Sequence, residues 1–470
     1  MVQADDVYIR ALERVLRKTD YFLFIKALRG PGDFVDPWYV FELMKKQIQE
    51  SSSPYKKSLL LLQMGYGAEY EELAAELGQE DLEAMLASGI WRQEGERVET
   101  NNYVVLTYQG LALLTEINPW YETCTNPNTD VYIGSDSLRL AENIVFRRGA
   151  AVLDLCSGTG IQGLLAAKSA RRVISVEMNE RAVPVTRFNI RLNHLEDIVE
   201  LRQGDLYDVL GPGEKFDFIY ANPPFIPMVD KVSYPLCGAG GEDGRLVLDR
   251  IVEGLPRFLR PGGEVIIFCE CLGNEKEVFF DKALEKLLQE QQWRGLCLRC
   301  GRLAKEFQIE KLASLTKLFN ETFDEENFKQ RMEEVYDRLG AKFLYNLIYK
   351  ILAEPGKGTE MLRIDQCSPW TEYDGAEVQE GITVGDNQRT FGLYRHGCQI
   401  SSISRDTRDV LALLGEGKSL GEITLELHAK HQAQPGRRKE TRAAMAQRVQ
   451  RICLQMEKIG AIARKPAQED

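Results

Sequence analysis

Between Val131 and Leu272, short apolar runs alternate with longer stretches of helical periodicity, and this alternation restricts the fold more than any other feature of the chain. GAAVLDLCSGTG is an apolar run closing in a glycine-bearing turn, and IQGLLAAKSA then opens a helix. RRVISVEMN is a second strand, ERAVPVTRFNIRLNHL a second helix and IVELRQGDLYD a third strand. KFDFIYANPP, the helix RLVLDRIVEGLPRFL, the turn RPGGE and the strand VIIFCECL follow. Strands joined through helices must run parallel, so the pattern predicts an α/β fold: a doubly wound, mostly parallel, Rossmann-like sheet. Ligands of such sheets lie outside the carboxyl ends of the strands.

The flanking sequence is different in kind. With 470 residues the chain exceeds a single ordinary core, and length alone suggests about three domains. Residues 1–129 read as helices followed by the alternating WRQEGERVETNNYVVLT, a hairpin turning at Glu94-Gly95, and their order is winged-helix-like. The helix before that hairpin, EDLEAMLASG, is acidic where a DNA-reading helix should be basic. A substrate-covering or dimerising domain is therefore the better expectation. Residues 130–355 form the α/β domain, with WRGLCLRCGR and KFLYNLIYKIL as further strands and a helical insertion near 311–340. Residues 356–470 form the last part, entered through the linker AEPGKGTEMLRIDQCSPWTEYDG that opens at Ala353. RTFGLYRHGCQISSIS then alternates as strands, and three helices follow, the last placing Met445, Val449, Ile452, Met456 and Ile459 on one face.

Three loops of the α/β domain fall at strand ends. In Asp154-Leu155-Cys156-Ser157-Gly158-Thr159-Gly160, small residues let the backbone approach a ligand, and the helix behind offers free N–H groups. Glu177 ends the next strand, where an acid can accept from both hydroxyls of a ribose. Asp205 ends the third, where a carboxylate can accept from an exocyclic adenine amine. Three such acids in register make an adenosine site.

VLDLCSGTGIQGLLAA, ISVEMN, GDLYD and ANPPF together resemble the class I S-adenosylmethionine-dependent methyltransferases. Within these, the resemblance is to the branch with an Asn-Pro-Pro-aromatic motif, which includes release-factor glutamine, guanine-N2 and adenine-N6 methyltransferases. It covers roughly residues 131–275. It implies S-adenosylmethionine as cofactor, held by Asp154, Cys156, Gly158, Gly160, Glu177, Asp205, Leu206 and Asn222. Cys156 stands where the family usually has glycine, a substitution expected to be tolerated if its φ is negative.

The strand FDFIYA must stop at Pro223-Pro224, because prolines lack the N–H a ladder needs. A planar amine or amide nitrogen is a poor nucleophile, its lone pair being delocalised. Two acceptors, the Asn222 side-chain oxygen and the Pro223 carbonyl, would hold its hydrogens and favour positive charge developing there. Phe225 can stack on the flat acceptor group. Asn222, Pro223 and Phe225 are accordingly the expected catalytic residues, and the glycine-rich GAGGEDG that follows is expected to be a flexible substrate lid.

The expected reaction is N-methylation of a planar nitrogen, foremost a side-chain amide of a peptide or protein. Methylation of a nucleic-acid base and non-enzymatic cofactor sensing are the alternatives. The net charge of −12 disfavours nucleic acid without excluding a local basic patch. The C-terminal part, a small α+β domain, resembles either a winged-helix fold or the precursor-peptide recognition domains of ribosomal peptide natural-product pathways, and the latter resemblance implies capture of a leader strand. No membrane segment and no metal are expected. Cys269-x-Cys271 and Cys297-x-x-Cys300 read as buried thiols, Cys269 lying in an alternating strand. A cytoplasmic location follows from the absence of a signal-like N-terminus, and homodimerisation is left open.

Overall fold

The structure is a computed structural model describing residues 2–29, 37–118, 123–124, 129–229, 238–319, 322–354, 359, 361–365, 377–378, 382–386, 391–395, 398–433, 442–458 and 461–463. The N-terminal part runs α1 (Asp6–Lys18), α2 (Tyr21–Arg29), α3 (Pro37–Glu50), α4 (Lys56–Met64), β1 (Ala68–Glu69), α5 (Tyr70–Leu77), α6 (Gln79–Ala87), β2 (Trp91–Glu94) and β3 (Arg97–Thr100). Strands β2 and β3 pair antiparallel from Trp91–Thr100 to Glu94–Arg97, so the turn lies at Gly95 as the sequence indicates. Strand β1 adds to β3. A second hairpin, β4 (Tyr103–Tyr108) with β5 (Leu111–Glu116), has no separate sequence signal, because the buried run on β5 lacks alternation.

The α/β part follows as α7 (Ser135–Ala141), β6 (Ala151–Leu155), α8 (Ile161–Ala167), β7 (Arg172–Glu177), α9 (Ala182–Leu192), β8 (Val199–Gln203), β9 (Phe216–Ala221), α10 (Leu246–Phe258), β10 (Leu259–Gly273), α11 (Asp281–Gln291), β11 (Arg294–Ala304), α12 (Lys305–Phe319), α13 (Glu325–Leu339), β12 (Phe343–Leu352) and β13 (Met361–Asp365). Its sheet has the order β13-β11-β12-β10-β9-β6-β7-β8. The pairs β6–β7, β7–β8, β6–β9 and β9–β10 are parallel. The chain steps outward from β6 to β7 and β8, then returns to β9 on the other side of β6. That reversal opens a crevice at the carboxyl ends of β6 and β9. Strand β13 lies inside the stretch read from sequence as a linker; its Met361 is buried and it joins the sheet edge.

Apolar packing joins the N-terminal part to the α/β sheet. One continuous core takes Leu12, Leu59, Leu73, Leu82 and Leu114 together with Val185, Phe188 and Leu192 of α9. Asn189 of α9 and Asn193 at its C-terminal cap, one helical turn apart, pair with the edge of β5. Asn189 accepts from Leu114 N–H at 2.7 Å and donates to its carbonyl at 2.9 Å, and Asn193 does the same for Ala112 at 3.0 and 2.8 Å. Side-chain amides thus stand in for a neighbouring strand. One compact unit accordingly comprises 1–271, 278–298 and 346–364.

The second unit comprises 272–277, 299–345 and 365–470. It holds the helices α12 and α13 and the C-terminal elements β14 (Glu377–Val378), β15 (Ile382–Asp386), β16 (Phe391–Arg395), β17 (Cys398–Ile403), α14 (Arg405–Gly415), α15 (Leu420–Gln432), α16 (Arg442–Lys458) and β18 (Ile462–Ala463). Strands β15, β16 and β17 form an antiparallel sheet. Met445, Val449, Ile452 and Met456 are buried in one core with Val410, Leu414 and Ile423; Ile459 lies outside the described residues. A capping box at Ser419–Glu422 starts α15. No helix among the described residues is long and apolar enough to cross a membrane.

Candidate active site

Each loop expected to be functional sits at a carboxyl end of a parallel strand: Asp154–Gly160 after β6, Glu177 at the end of β7, Asp205 beyond β8 and Asn222–Phe225 after β9. Asp154 is fully buried. Its Oδ2 accepts from Gly163 N–H at 3.0 Å and from the Ser175 hydroxyl at 3.2 Å, and burial pushes its carboxyl up to about 7. Asp154 therefore anchors the start of α8 beneath the loop, while the loop backbone faces the crevice.

Glu177, the acid expected at the end of β7, is held at both carboxylate oxygens. One carboxylate oxygen accepts from Gly158 N–H at 2.7 Å and the other from Asn179 N–H at 2.8 Å. Burial raises its pKa, and these N–H bonds counter the rise. Each oxygen keeps a lone pair for a hydroxyl. Beside it, Thr186 Oγ1 donates to the Gly158 carbonyl at 2.5 Å and Asn189 Nδ2 to the Thr159 carbonyl at 2.9 Å, so α9 holds the glycine loop. The Ser157 hydroxyl is buried in that loop with no partner among the described residues.

Cys156 departs from expectation: its φ is +56°, in the left-handed region that glycine favours. The loop keeps the conformation a glycine would give it and carries the cost of a Cβ there. Burial, with Glu177 and Asp154 nearby, pushes the Cys156 thiol up, so it stays protonated. Leu206 also has positive φ, at +46°, and its side chain is buried. Asp205 occupies the expected strand end, and its Oδ2 pairs with Arg250 of α10 at 2.9 Å.

On the other side of β6, strand β9 ends at Ala221 as the prolines require. Asn222 Nδ2 donates to Asp136 Oδ2 at 2.7 Å and lies 3.3 Å from the Ser137 hydroxyl. Asn222 Oδ1 is buried with no partner among the described residues. A buried carbonyl oxygen without a donor costs about 1–3 kcal/mol, which a bound N–H would relieve. Phe225 meets Phe268 edge-on at 5.7 Å. The described part of the glycine-rich segment is hydrogen-bonded to this turn: Ile226 N–H to Gly238 O at 2.8 Å, Gly240 N–H to Ile226 O at 2.9 Å, Met228 N–H to Gly241 O at 2.8 Å. A Cβ at Gly240 would stand 2.8 Å from the Phe225 backbone, so glycine is needed for close approach. Residues 238–244 thus brace the turn; residues 230–237 lie outside the described residues.

A family model, that of the methyltransferase small domain, matches residues 130–292. A putative protein N5-glutamine methyltransferase of Methanocaldococcus jannaschii is 36% identical over 148 residues, covering 30% of this chain and 73% of that protein. The chain belongs to the methyltransferase small-domain family. It is also similar to a release factor glutamine methyltransferase of Clostridium acetobutylicum, at 33% identity over 29% of this chain and 51% of that one. A ribosomal protein uL3 glutamine methyltransferase of Bordetella pertussis is 31% identical over 27% of this chain and 45% of that one. The chain spans about half the length of these last two.

Within this methyltransferase domain no sequence motif singles out Asp136 or Ser137. Asp136 and Ser137 lie in the first turn of α7. Their contact with Asn222 spans a separation that no local pattern reveals. Cys269 and Cys271, two apart on β10, share a face with their sulfurs 3.7 Å apart, and both are buried.

Proposed function

We propose that this methyltransferase transfers a methyl group to a side-chain amide nitrogen of a peptide or protein, glutamine first. The single observation carrying the reading is the buried, unpartnered Asn222 Oδ1 beside the rigid Pro223. When bound, S-adenosylmethionine supplies a sulfonium methyl, the electrophile. Glu177 accepts from the ribose, Asp205 and Leu206 flank the adenine, and the Ser157 hydroxyl and the backbone of Cys156, Gly158 and Gly160 line the loop.

Asn222 Oδ1 and the Pro223 carbonyl each accept one hydrogen of a substrate –NH2. With both hydrogens held, the nitrogen lone pair turns out of conjugation toward the methyl, and positive charge on nitrogen is stabilised as it develops. Phe225, fixed by Phe268, packs against the flat group. Proton loss to solvent follows methyl transfer. The relatives named for glutamine methylation support the amide over a nucleic-acid base.

The same proposal takes a soluble peptide or protein of the cytoplasm as partner and gives the sheet and helices of the C-terminal part a role in presenting it. Homodimerisation is part of the proposal only as a way to complete substrate binding. The test is incubation with methyl-labelled S-adenosylmethionine and two acceptor pools, glutamine-containing peptides and RNA fragments. Label on glutamine side-chain nitrogen, located by fragmentation mass spectrometry, is the expected result. Label on RNA alone would replace the amide by a base. Deleting the chain from about Asp374 onward should leave cofactor binding intact and lower methylation of long peptides more than of short ones.

A further inference from the structure

A carboxamide has two nearly isosteric ends, and only one is useful here. With its oxygen toward the acceptor nitrogen, Asn222 accepts a hydrogen; flipped, it would set its own N–H groups against those of the substrate. Something must decide between the two, and rigid prolines in the backbone cannot, because the flip is a rotation of the side chain alone.

We propose that Asp136, assisted by Ser137, is a positioning residue that locks the Asn222 carboxamide with its oxygen toward the reacting nitrogen. This rests on the amide-methylation reading for what the oxygen then does. An ionised carboxylate only accepts, so the Asn222 atom 2.7 Å from Asp136 Oδ2 must be the nitrogen; an oxygen there would be repelled. The Ser137 hydroxyl at 3.3 Å offers a second acceptor to the same nitrogen. The Asn222 oxygen is thereby turned to the one place in the turn where it has no partner.

The local sequence is shaped for this. Gly134 has φ −95° and ψ 179°, extended backbone that any residue adopts. A Cβ there would nevertheless fall 2.2 Å from Asp136 Oδ1. A side chain at 134 would thus displace the carboxylate, although the dihedrals there suit any residue. The Ser137 carbonyl is also bound, accepting from Gln162 Nε2 of α8 at 3.3 Å, which ties the positioning segment to the helix behind the glycine loop.

The test uses the full chain in two readouts. In protein labelled with ¹⁵N at asparagine, the Asn222 side-chain NH2 signal is identified by its loss in Asn222→Ala. Asp136→Ala should speed its hydrogen exchange by about tenfold or more, the scale of losing a charge-assisted hydrogen bond. With glutamine-containing peptides as acceptor, Asp136→Ala should lower kcat by about tenfold or more while calorimetric affinity for S-adenosylmethionine stays at the wild-type value. Asp136→Asn, whose carbonyl can still accept, should recover most of the rate. A merely structural role would lower cofactor affinity too, and would not distinguish Asn from Ala. Gly134→Ala, which displaces the carboxylate without removing it, should imitate Asp136→Ala and serves if that variant does not fold. Unchanged exchange at Asn222, or equal rates in Asp136→Ala and wild type, overturns the proposal. If wild type methylates no glutamine peptide, the amide reading fails instead, and the exchange measurement alone decides on Asp136.

Discussion

The two halves of the crevice are built on opposite plans. On the cofactor half, beyond β6 and β7, the Glu177 carboxylate is held at both oxygens by backbone N–H groups, and α9 holds the loop from behind through Thr186 and Asn189. On the acceptor half, beyond β9, the Asn222 amide is held at its nitrogen and left open at its oxygen. The first arrangement presents an already rigid surface to a constant ligand. The second keeps one buried polar group unsatisfied until a donor arrives, which makes interaction strongest with the group that reacts. In the proposed function, recognition of the cofactor and activation of the acceptor draw on different residues and should be separable by mutation.

The largest separable effect on the cofactor half is at Glu177. Glu177→Ala should weaken S-adenosylmethionine binding by about 1–3 kcal/mol, the range for hydrogen bonds to a charged group. Turnover at saturating cofactor should change little. Calorimetry paired with rates at high cofactor checks both, and an unchanged affinity would remove the ribose assignment.

Asp154 offers a comparison by pH, because its carboxyl is raised to about 7 in the folded protein. A carboxyl raised above its unfolded value of 3.8 favours the folded state when protonated, so its contribution is complete below about 4 and is lost as pH climbs through about 7. Asp154→Asn still accepts from Gly163 and carries no charge. Denaturant unfolding should find the variant gaining on wild type by roughly 2–3 kcal/mol between pH 5 and 8. A difference independent of pH would show that Asp154 is ionised throughout.

The smallest effect concerns Cys156. Its φ of +56° costs a side-chain-bearing residue about 1 kcal/mol relative to glycine. Cys156→Gly should therefore stabilise the protein by up to about that amount and leave the Asn222 half unaffected. A destabilised variant would mean that packing of the thiol outweighs backbone strain.

What the sequence made legible follows from what it encodes locally. Strand and helix alternation placed β6 to β10, and the Asn-Pro-Pro stop placed the end of β9, because both are written in consecutive residues. Glu177, Asp205 and Asn222 could be named for the same reason: each lies at, or within two residues of, the end of a recognisable strand. The sign of φ at Cys156 could not be read, since a thiol is compatible with either region. Strand β13 was hidden in a stretch with linker composition, and it becomes a strand through pairing at the sheet edge. Hairpin β4–β5 was obscured because Leu111–Glu116 is buried along its whole length, which removes the alternation that marks a half-buried strand. Asp136 was missed because its partner, Asn222, is brought to it only by the assembled sheet. The glycine-rich segment was read as a lid from composition, whereas its described part uses small residues for close packing against Phe225.

The central claim, that an unpartnered oxygen of Asn222 activates the acceptor nitrogen, is tested most directly by Asn222→Ala on a peptide that the wild-type protein methylates. The account predicts that calorimetric affinity for S-adenosylmethionine stays within about twofold of wild type while kcat falls by about a hundredfold or more, the scale for losing a positioned transition-state partner. Full turnover in that variant, or a loss of rate explained entirely by lost cofactor affinity, would contradict it.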